Sequence, residues 1–511
     1  MSKIVVKYII VCIMVSNYLN TYAQNKSGYA FVYGLGGIYA QFDGSGNLPI
    51  VDSAYFPHTN AQRFFTGSSS ICDSATGNLK VVTNGYLLFS SNGNVMQNGD
   101  SLVPKNIYLF NGPNTLLSYM PQTSLILPKG SSGLYYVFTT TITDTTYNKY
   151  LGSVEKFPYD LLQYHVVDMN QNGGLGKVVQ KNVPVITNYE INRVGMQACR
   201  HANGYDWWLI KQAGLDSTAI FKILVTADSV VIKDTQRIPN LAYGKWDGEG
   251  QSCFSTNGKK YAFSCGRTSQ LLLADFDRCS AELRSIQILN IPKDSTTDPY
   301  SINAGKWDSV INGVCFAPND SFIYITRDYN IYQYELNNPD SATAWVRIKH
   351  GEDTSLLWFE RYGILHKGID GRIYIGKNSN SSSSNSLINK PNLKGLACDF
   401  CRKCLRYDLP DMHTCAPSNM PDFTLGADSS GCWPLSSEQL IVNNEQWELY
   451  PNPVNAILYI KHAKGKEKKL YNTYGQLLIS TTKEEIDISG LAKGLYFLSC
   501  EQQTQKVLVE Y

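Results

Sequence analysis

Gly244-Lys245-Trp246-Asp247 leads into Cys253-Phe254-Ser255-Thr256-Asn257-Gly258-Lys259-Lys260-Tyr261. Further along, Gly305-Lys306-Trp307-Asp308 leads into Cys315-Phe316-Ala317-Pro318-Asn319-Asp320, followed by a strand-like run from Phe322 to Thr326. These are two copies of one unit, and their chemistry decides the fold. Asn-Gly and Asp-Gly accept the positive φ of tight hairpin turns, and the alternation of aromatic and small residues after the turn suits a strand packed on one face. Fainter copies run from Ser132 to Val137, from Asn203 to Trp208 and from Asp370 to Ile375, spaced by roughly 50 to 70 residues. Small sheets repeated about an axis bury both faces and leave only short edges. The repeat therefore predicts an all-β body, a six- or seven-bladed β-propeller, with an irregular set of β-sandwiches as the alternative. No long helical periodicity is present. Lys156 to Tyr164, the most helix-like piece, carries Pro158 and reads as a connector, and the Ser/Asn tract from Asn378 to Ser386 reads as a loop.

Composition agrees. The 511 residues are 12% aromatic, with 34 Tyr and 40 Gly, and only 17% charged, the signature of many short strands and tight turns. That length exceeds one ordinary core and predicts a large repeat-built domain plus a smaller one. A formal net charge of +2 argues against nucleic acid as a partner. The Lys464 to Lys469 run reads as a solvated hairpin.

The first residues have the three parts of a secretory signal: Lys3 and Lys7, an apolar run from Tyr8 to Val15, and small residues at the cleavage site, placed after Ala23. No other run reaches the roughly 20 apolar residues of a spanning helix, so the mature chain is expected to lack a transmembrane segment. The expected organisation is a signal peptide at 1–23, a propeller-like domain at 24–435, a linker at 436–448 and a C-terminal domain at 449–511. In that last domain Pro451 and Pro453 block strand pairing at the start, Gly475 and Gly494 permit turns, and the alternating runs between them predict a small Ig-like β-sandwich.

Several segments resemble the secreted propeller-like proteins of Bacteroidetes that carry a type IX secretion C-terminal sorting domain. In the body these include Thr83-Asn84-Gly85, Met96-Gln97-Asn98-Gly99-Asp100, Arg200-His201-Ala202-Asn203-Gly204, Gly371-Arg372-Ile373-Tyr374-Ile375-Gly376 and Asn419-Met420-Pro421-Asp422-Phe423. At the C-terminus the sorting signal resembles type A, carried by Tyr450-Pro451-Asn452-Pro453, Gly475, Gly494, Tyr496 and Val507. The resemblance implies delivery by the type IX machinery through the periplasm, release or attachment at the outer-membrane surface, and loss of the sorting domain on the way. Asp-Ser-apolar triplets such as Asp52-Ser53-Ala54 and Asp73-Ser74-Ala75 resemble the O-glycosylation sequon of these bacteria, although Asp and Ser are also ordinary turn residues.

An exported chain meets an oxidising compartment, so its cysteines are disulfide candidates. Cys398, Cys401, Cys404, Cys415 and Cys432 are the densest group, with the alternative of a zinc knuckle; a local staple of the last blade is the expectation. Cys253, Cys265, Cys279 and Cys315 could bridge within or between blades. No nucleophile elbow, phosphate-cradling loop or acid/base frame is recognisable, so no catalytic, metal or cofactor residue is assigned. His201, Trp207, Trp246 and Trp307 are the candidates for a ligand face, aromatic planes being good partners for sugar rings. The reading is a non-enzymatic surface or secreted binding protein for a glycan or protein ligand; a secreted hydrolase and a structural or adhesion component are the alternatives.

Overall fold

Each Asn-Gly or Asp-Gly turn of the repeat joins the first and second strands of one sheet. Gly204, Gly258 and Gly371 sit there with φ of 80°, 70° and 78°, the left-handed region that glycine enters without a steric cost. The computed structural model describes residues 25–510 apart from position 36 and segments 57–62, 104–119, 131–132, 150–157, 215–217, 242–249, 266–269, 293–310, 328–329, 341–342, 350–361, 378–383, 408–415, 429–431, 433–447, 473–475 and 501–502. The signal peptide with its Ala23 site lies outside the described residues. Two compact units emerge, 1–432 and 433–511.

In the first unit the described strands form seven sheets, the blades of a propeller. Blades 3 to 7 are four-stranded meanders, each running outward from the axis in chain order. Blade 4, for example, is Gln197–Arg200, Trp207–Gln212, Ala219–Val225 and Val230–Arg237. Blade 2 has three described strands, Ser69–Cys72, Leu79–Thr83 and Leu88–Ser90. Blade 1 differs: Ala30–Leu35 pairs on one side with Ile38–Gln41 and on the other with the short Arg63–Phe64.

The ring closes between blades 7 and 1 through aromatic packing, not through a shared strand. Phe31 meets Tyr374 edge-on at 5.5 Å between ring centroids, and Tyr33 meets Tyr407 at 5.4 Å. Such pairs add roughly 0.5–1.5 kcal/mol each beyond their buried area.

Two local expectations are corrected. Tyr159–Asp168 is a ten-residue strand of blade 3; Pro158 precedes its first residue, a position where a missing N–H costs no ladder bond. The tract ending at Ser386 is not wholly loop, since Ser384–Ile388 is a buried strand of blade 7. The one described α-helix, Asp144–Lys149, is six residues long, and no described helix is long and apolar enough to cross a membrane.

The second unit packs a three-stranded sheet, Glu448–Tyr450, Ile457–Lys461 and Glu485–Asp487, on a four-stranded one, Leu477–Thr481, Lys468–Tyr471, Gly494–Cys500 and Gln503–Val509. Leu458, Ile460 and Ile486 of one sheet share a core with Leu470, Leu498 and Val507 of the other, which makes it a β-sandwich.

Candidate functional site

The inner strand of each blade is an edge, and its free N–H and C=O groups point at an axis where burial makes them costly to leave unpaired. Primary amide side chains, which both donate and accept, fill that place. Gln251 Nε2 donates to Leu365 O (2.6 Å) while its Oε1 accepts from the Leu365 and Val314 N–H groups (2.8 and 3.1 Å). Gln122 exchanges bonds with the Ser252 backbone across the axis (2.9 and 2.8 Å).

The hub is Asn419. Its Nδ2 donates to Ser124 O and Met196 O (2.9 and 3.1 Å), and its Oδ1 accepts from Gln122 and Gln197 Nε2 (3.1 and 3.0 Å). Its own backbone bonds to Ser68 O and to Ser69 Oγ (2.8 and 2.7 Å). Beside it, Ser418 Oγ joins Val32 N–H and O (2.9 and 2.8 Å). Residues 416–423 thus run through the middle of the ring and plug it.

Where this segment emerges, it walls a cavity of about 370 Å³, within the size range of small-ligand sites. The cavity sits at the hairpin ends of blades 4 to 7 and is lined by Phe31, Phe254 and Phe423 among others. The hairpins themselves define matching positions. His201, Ser255, Ala317 and Gly368 each donate the N–H that opens the first turn of their blade. Two residues earlier stand Cys199, Cys253, Cys315 and His366, all lining the cavity. Burial pushes the Cys199 and Cys315 thiols up to about 12 and Cys253 well above its ordinary value, because the thiolate would be poorly solvated. Burial likewise lowers His366 to about 4, and its Nε2 has no hydrogen-bond partner. Next to it, Lys367 Nζ bonds Asp422 (2.9 Å) and Thr256 Oγ1 (2.8 Å). Burial opposes the Asp422 charge, but Lys367 and the Thr424 hydrogen bonds outweigh it and hold the carboxyl below its usual range.

Of the anticipated ligand-face residues, the two described ones, His201 and Trp207, do not line this cavity. Trp207 is 1% exposed, sandwiched between the Arg200 guanidinium (3.7 Å from its ring) and Phe423 (5.9 Å); it packs the plug and offers no open plane. His201 is half-buried, its Nδ1 accepts from Asn203 N–H (3.0 Å), and Trp208 lies tilted against it at 5.6 Å, so it organises its own turn. Trp246 and Trp307 lie outside the described residues. Of the cavity residues, Asp422 stood in the quoted motif Asn419 to Phe423 without being singled out, while His366 and Lys367 carried no signal of their own; only the repeat register, once aligned on the turns, points to position 366.

The cysteines form one local bond in the last blade and one that reaches outside the expected group. Cys401 bonds Cys404, while Cys432 reaches Cys279 of blade 5. Cys398, Cys253 and Cys315 are buried free thiols, packed as small apolar side chains. Cys415 and the Cys265 side chain lie outside the described residues, and no group of three or more His, Cys, Asp or Glu among those described could hold a metal. Of the Asp-Ser triplets, Asp52 and Asp73 accept the N–H two residues on (2.8 and 3.1 Å), which makes them turn formers.

In the second unit Asn452 ties the opening motif to the last strand, donating to Lys506 O (2.7 Å) and accepting from Leu508 N–H (2.8 Å). Between those partners Val507 is fully buried. Pro451 and Pro453 follow cis peptide bonds, Tyr450 stacks on Tyr459 at 5.5 Å, and the Tyr496 hydroxyl donates to Ala492 O (2.8 Å) at the Gly494 turn. Gly475 lies outside the described residues.

Among curated protein sequences none matches the chain. Among solved structures, the chain is similar to the β-propeller domain of Cps50 (Swd1) from Myceliophteria thermophila, with 11% identity over 70% of this chain and 92% of that one and a TM-score of 0.39. It is also similar to the periplasmic gluconolactonase of Pseudomonas aeruginosa, with 9% identity over 94% and 100% and a TM-score of 0.36. Likenesses at this level bear on no activity. The profile of the secretion system C-terminal sorting domain matches residues 448–510, the span of the β-sandwich. The chain is a β-propeller body that carries a type IX secretion C-terminal sorting domain.

Proposed function

We propose that the body is a non-catalytic binding module, exported through the periplasm by the type IX machinery and secreted or held at the outer-membrane surface, that takes a glycan or a protein side chain in the cavity beside the plug. The observation that carries this reading is the state of the ionisable groups in that cavity. Its thiols are held protonated by burial, its imidazole is held neutral, and its lysine and carboxylate neutralise each other at 2.9 Å. General acid/base or nucleophilic work needs a group poised near the working pH, whereas aromatic walls with a few fixed polar groups suit recognition.

The test is a thermal-shift and direct-binding screen of the exported full chain against oligosaccharides and matrix proteins. A ligand of this site should lose about tenfold or more in affinity in Phe254→Ala, an aromatic truncation worth upwards of 1.4 kcal/mol. Tyr205→Ala, at a side chain 83% exposed on a hairpin tip, should leave binding unchanged. Full affinity in Phe254→Ala would remove the cavity from the proposal.

A further inference from the structure

The segment that plugs the axis does not stop there. Beyond Phe423 it turns outward over the hairpins of blades 4 and 5, and the two halves are held in unlike ways. The inner half, 418–423, is fixed by the buried amide network of Asn419, by Asn25 Nδ2 donating to Phe423 O (3.0 Å) and by the Lys367–Asp422 pair. The described part of the outer half, 424–428, lies nearer the surface, with residues 424, 426 and 427 exposed. Leu425 packs near Gly258, where an added Cβ would meet it at 2.6 Å, and Gly204 lies against Ala427 in the same way at 2.9 Å. Arg278 donates to Gly426 O, and Asp428 N–H bonds Ala202 O (2.9 Å). The Lys259–Asp428 contact is 3.4 Å with the lysine 57% exposed, a class of ion pair that contributes little. Past these, Cys432 is bonded to Cys279, with Cα atoms 5.4 Å apart, in the turn next to Arg278.

We propose that the Cys279–Cys432 disulfide is a redox-sensitive clasp that keeps the outer half of this strap seated across blades 4 and 5, and with it the wall of the cavity. Pro421, Thr424 and Leu425 line that cavity, so the clasp fixes the shape of the site. It also makes the strap independent of everything after residue 432: any cut beyond that point leaves the wall anchored at both ends. Opening it requires an external dithiol. One thiolate attacks a sulfur of the bridge, the second resolves the mixed disulfide, and the products are two free thiols in the protein and one oxidised reagent. The inner half would stay in place, because its anchors are buried hydrogen bonds that thiol chemistry does not touch.

Hydrogen exchange of the full exported chain tests this. After treatment with a dithiol, and equally in Cys432→Ser without it, the Asp428 amide that bonds Ala202 O should exchange at least about tenfold faster, while the Asn419 amide bonded to Ser68 O keeps its protection. The double variant Cys401→Ser/Cys404→Ser, which removes the other described disulfide, should behave as the untreated chain. Equal protection of the Asp428 amide in the oxidised and reduced chains overturns the proposal. So does alkylation of Cys279 and Cys432 in the chain that has met no reductant. Should Cys432→Ser fail to fold, the treated natural chain carries the comparison alone. Neither readout depends on whether the cavity has a ligand.

Discussion

His366 shows how one buried side chain makes the whole body sensitive to acid. Its folded form holds the imidazole neutral down to about pH 4, against an ordinary value of 6.5. His165, fully buried in blade 3 with its Nδ1 accepting from Asn182 N–H, is lowered further, to about 3. Between 6.5 and those values the unfolded chain takes up protons that the folded chain refuses, so stability must fall as the pH drops through that window. Over the two pH units from 6.5 to 4.5 each histidine contributes up to about 3 kcal/mol. Buried Lys211, lowered to about 7, adds its own slope at the top of this range, but it does so equally in the His366 variant and cancels in the comparison. Urea unfolding from pH 7.5 to 4.5 should therefore show a steady loss, shallower in His366→Leu; an unchanged slope in that variant refutes the assignment. Asn419 is the opposite case, a polar residue whose every bond is made. Asn419→Ala takes one partner each from two glutamine amides, which keep their bonds to Ser252 O and Met420 O, and from two carbonyls inside the axis, a loss expected at about 2–4 kcal/mol by urea or thermal unfolding. Neither residue announced its role. Asn419 stood within a quoted motif, but its side-chain partners lie 222 to 297 residues away, and no local pattern encodes such separations.

Elements were the most legible level, because turn chemistry and strand alternation are local. Asn203-Gly204, Asn257-Gly258 and Asp370-Gly371 each mark a first hairpin, and a strand follows each, although Trp207–Gln212 and Ile373–Lys377 are buried on both faces instead of one. What failed was the inference from charge and from composition. Ser384-Asn385-Ser386 look like loop residues but are buried in blade 7, where neighbouring blades cover the strand. The lysine run read as a solvated hairpin contains Lys468, which is 0% exposed. Its ammonium donates to Ala463 O (2.6 Å), Lys466 O (2.9 Å) and Thr482 O (3.0 Å), so all three protons are used and the charge is solvated by backbone. The two ends of the strand pair Lys468–Tyr471 and Leu477–Thr481 are knotted together at that point. Lys468→Met keeps the length and removes the donors, leaving three carbonyls short of a partner. The cost should be about 2–4 kcal/mol, read as a lower melting temperature for the sorting domain. Lys469→Met next to it, whose Nζ meets only the exposed Glu467 (3.1 Å), should change little.

At the scale of the molecule, the plug and the sorting domain divide one C-terminal stretch between two tasks. Residues 416–432 complete the propeller: they satisfy its axis, wall its cavity and end in a disulfide to blade 5. The residues matched by the sorting profile begin only at 448 and fold on a core of their own. The radial repeat was legible because two copies of it survive almost intact. The plug was not, since a single unrepeated segment passing through an axis has neither periodicity nor composition to mark it. Placing the boundary after the plug has a direct consequence. A chain ending before Tyr450 retains every anchor of the body and loses the whole four-stranded sheet of the sandwich, so it should fold normally and fail to be delivered. Expressed in its native host, the 450–511 deletion should accumulate in the periplasm, with the body's melting temperature and protease resistance unchanged. Delivery of that truncated chain to the surface or medium would contradict the assignment of the sandwich as the sorting signal. A deletion starting at residue 416 should behave differently, unfolding the body as well, because it removes Ser418, Asn419 and Asp422 and leaves Gln122, Gln197 and Gln251 among the described groups to pair the axis.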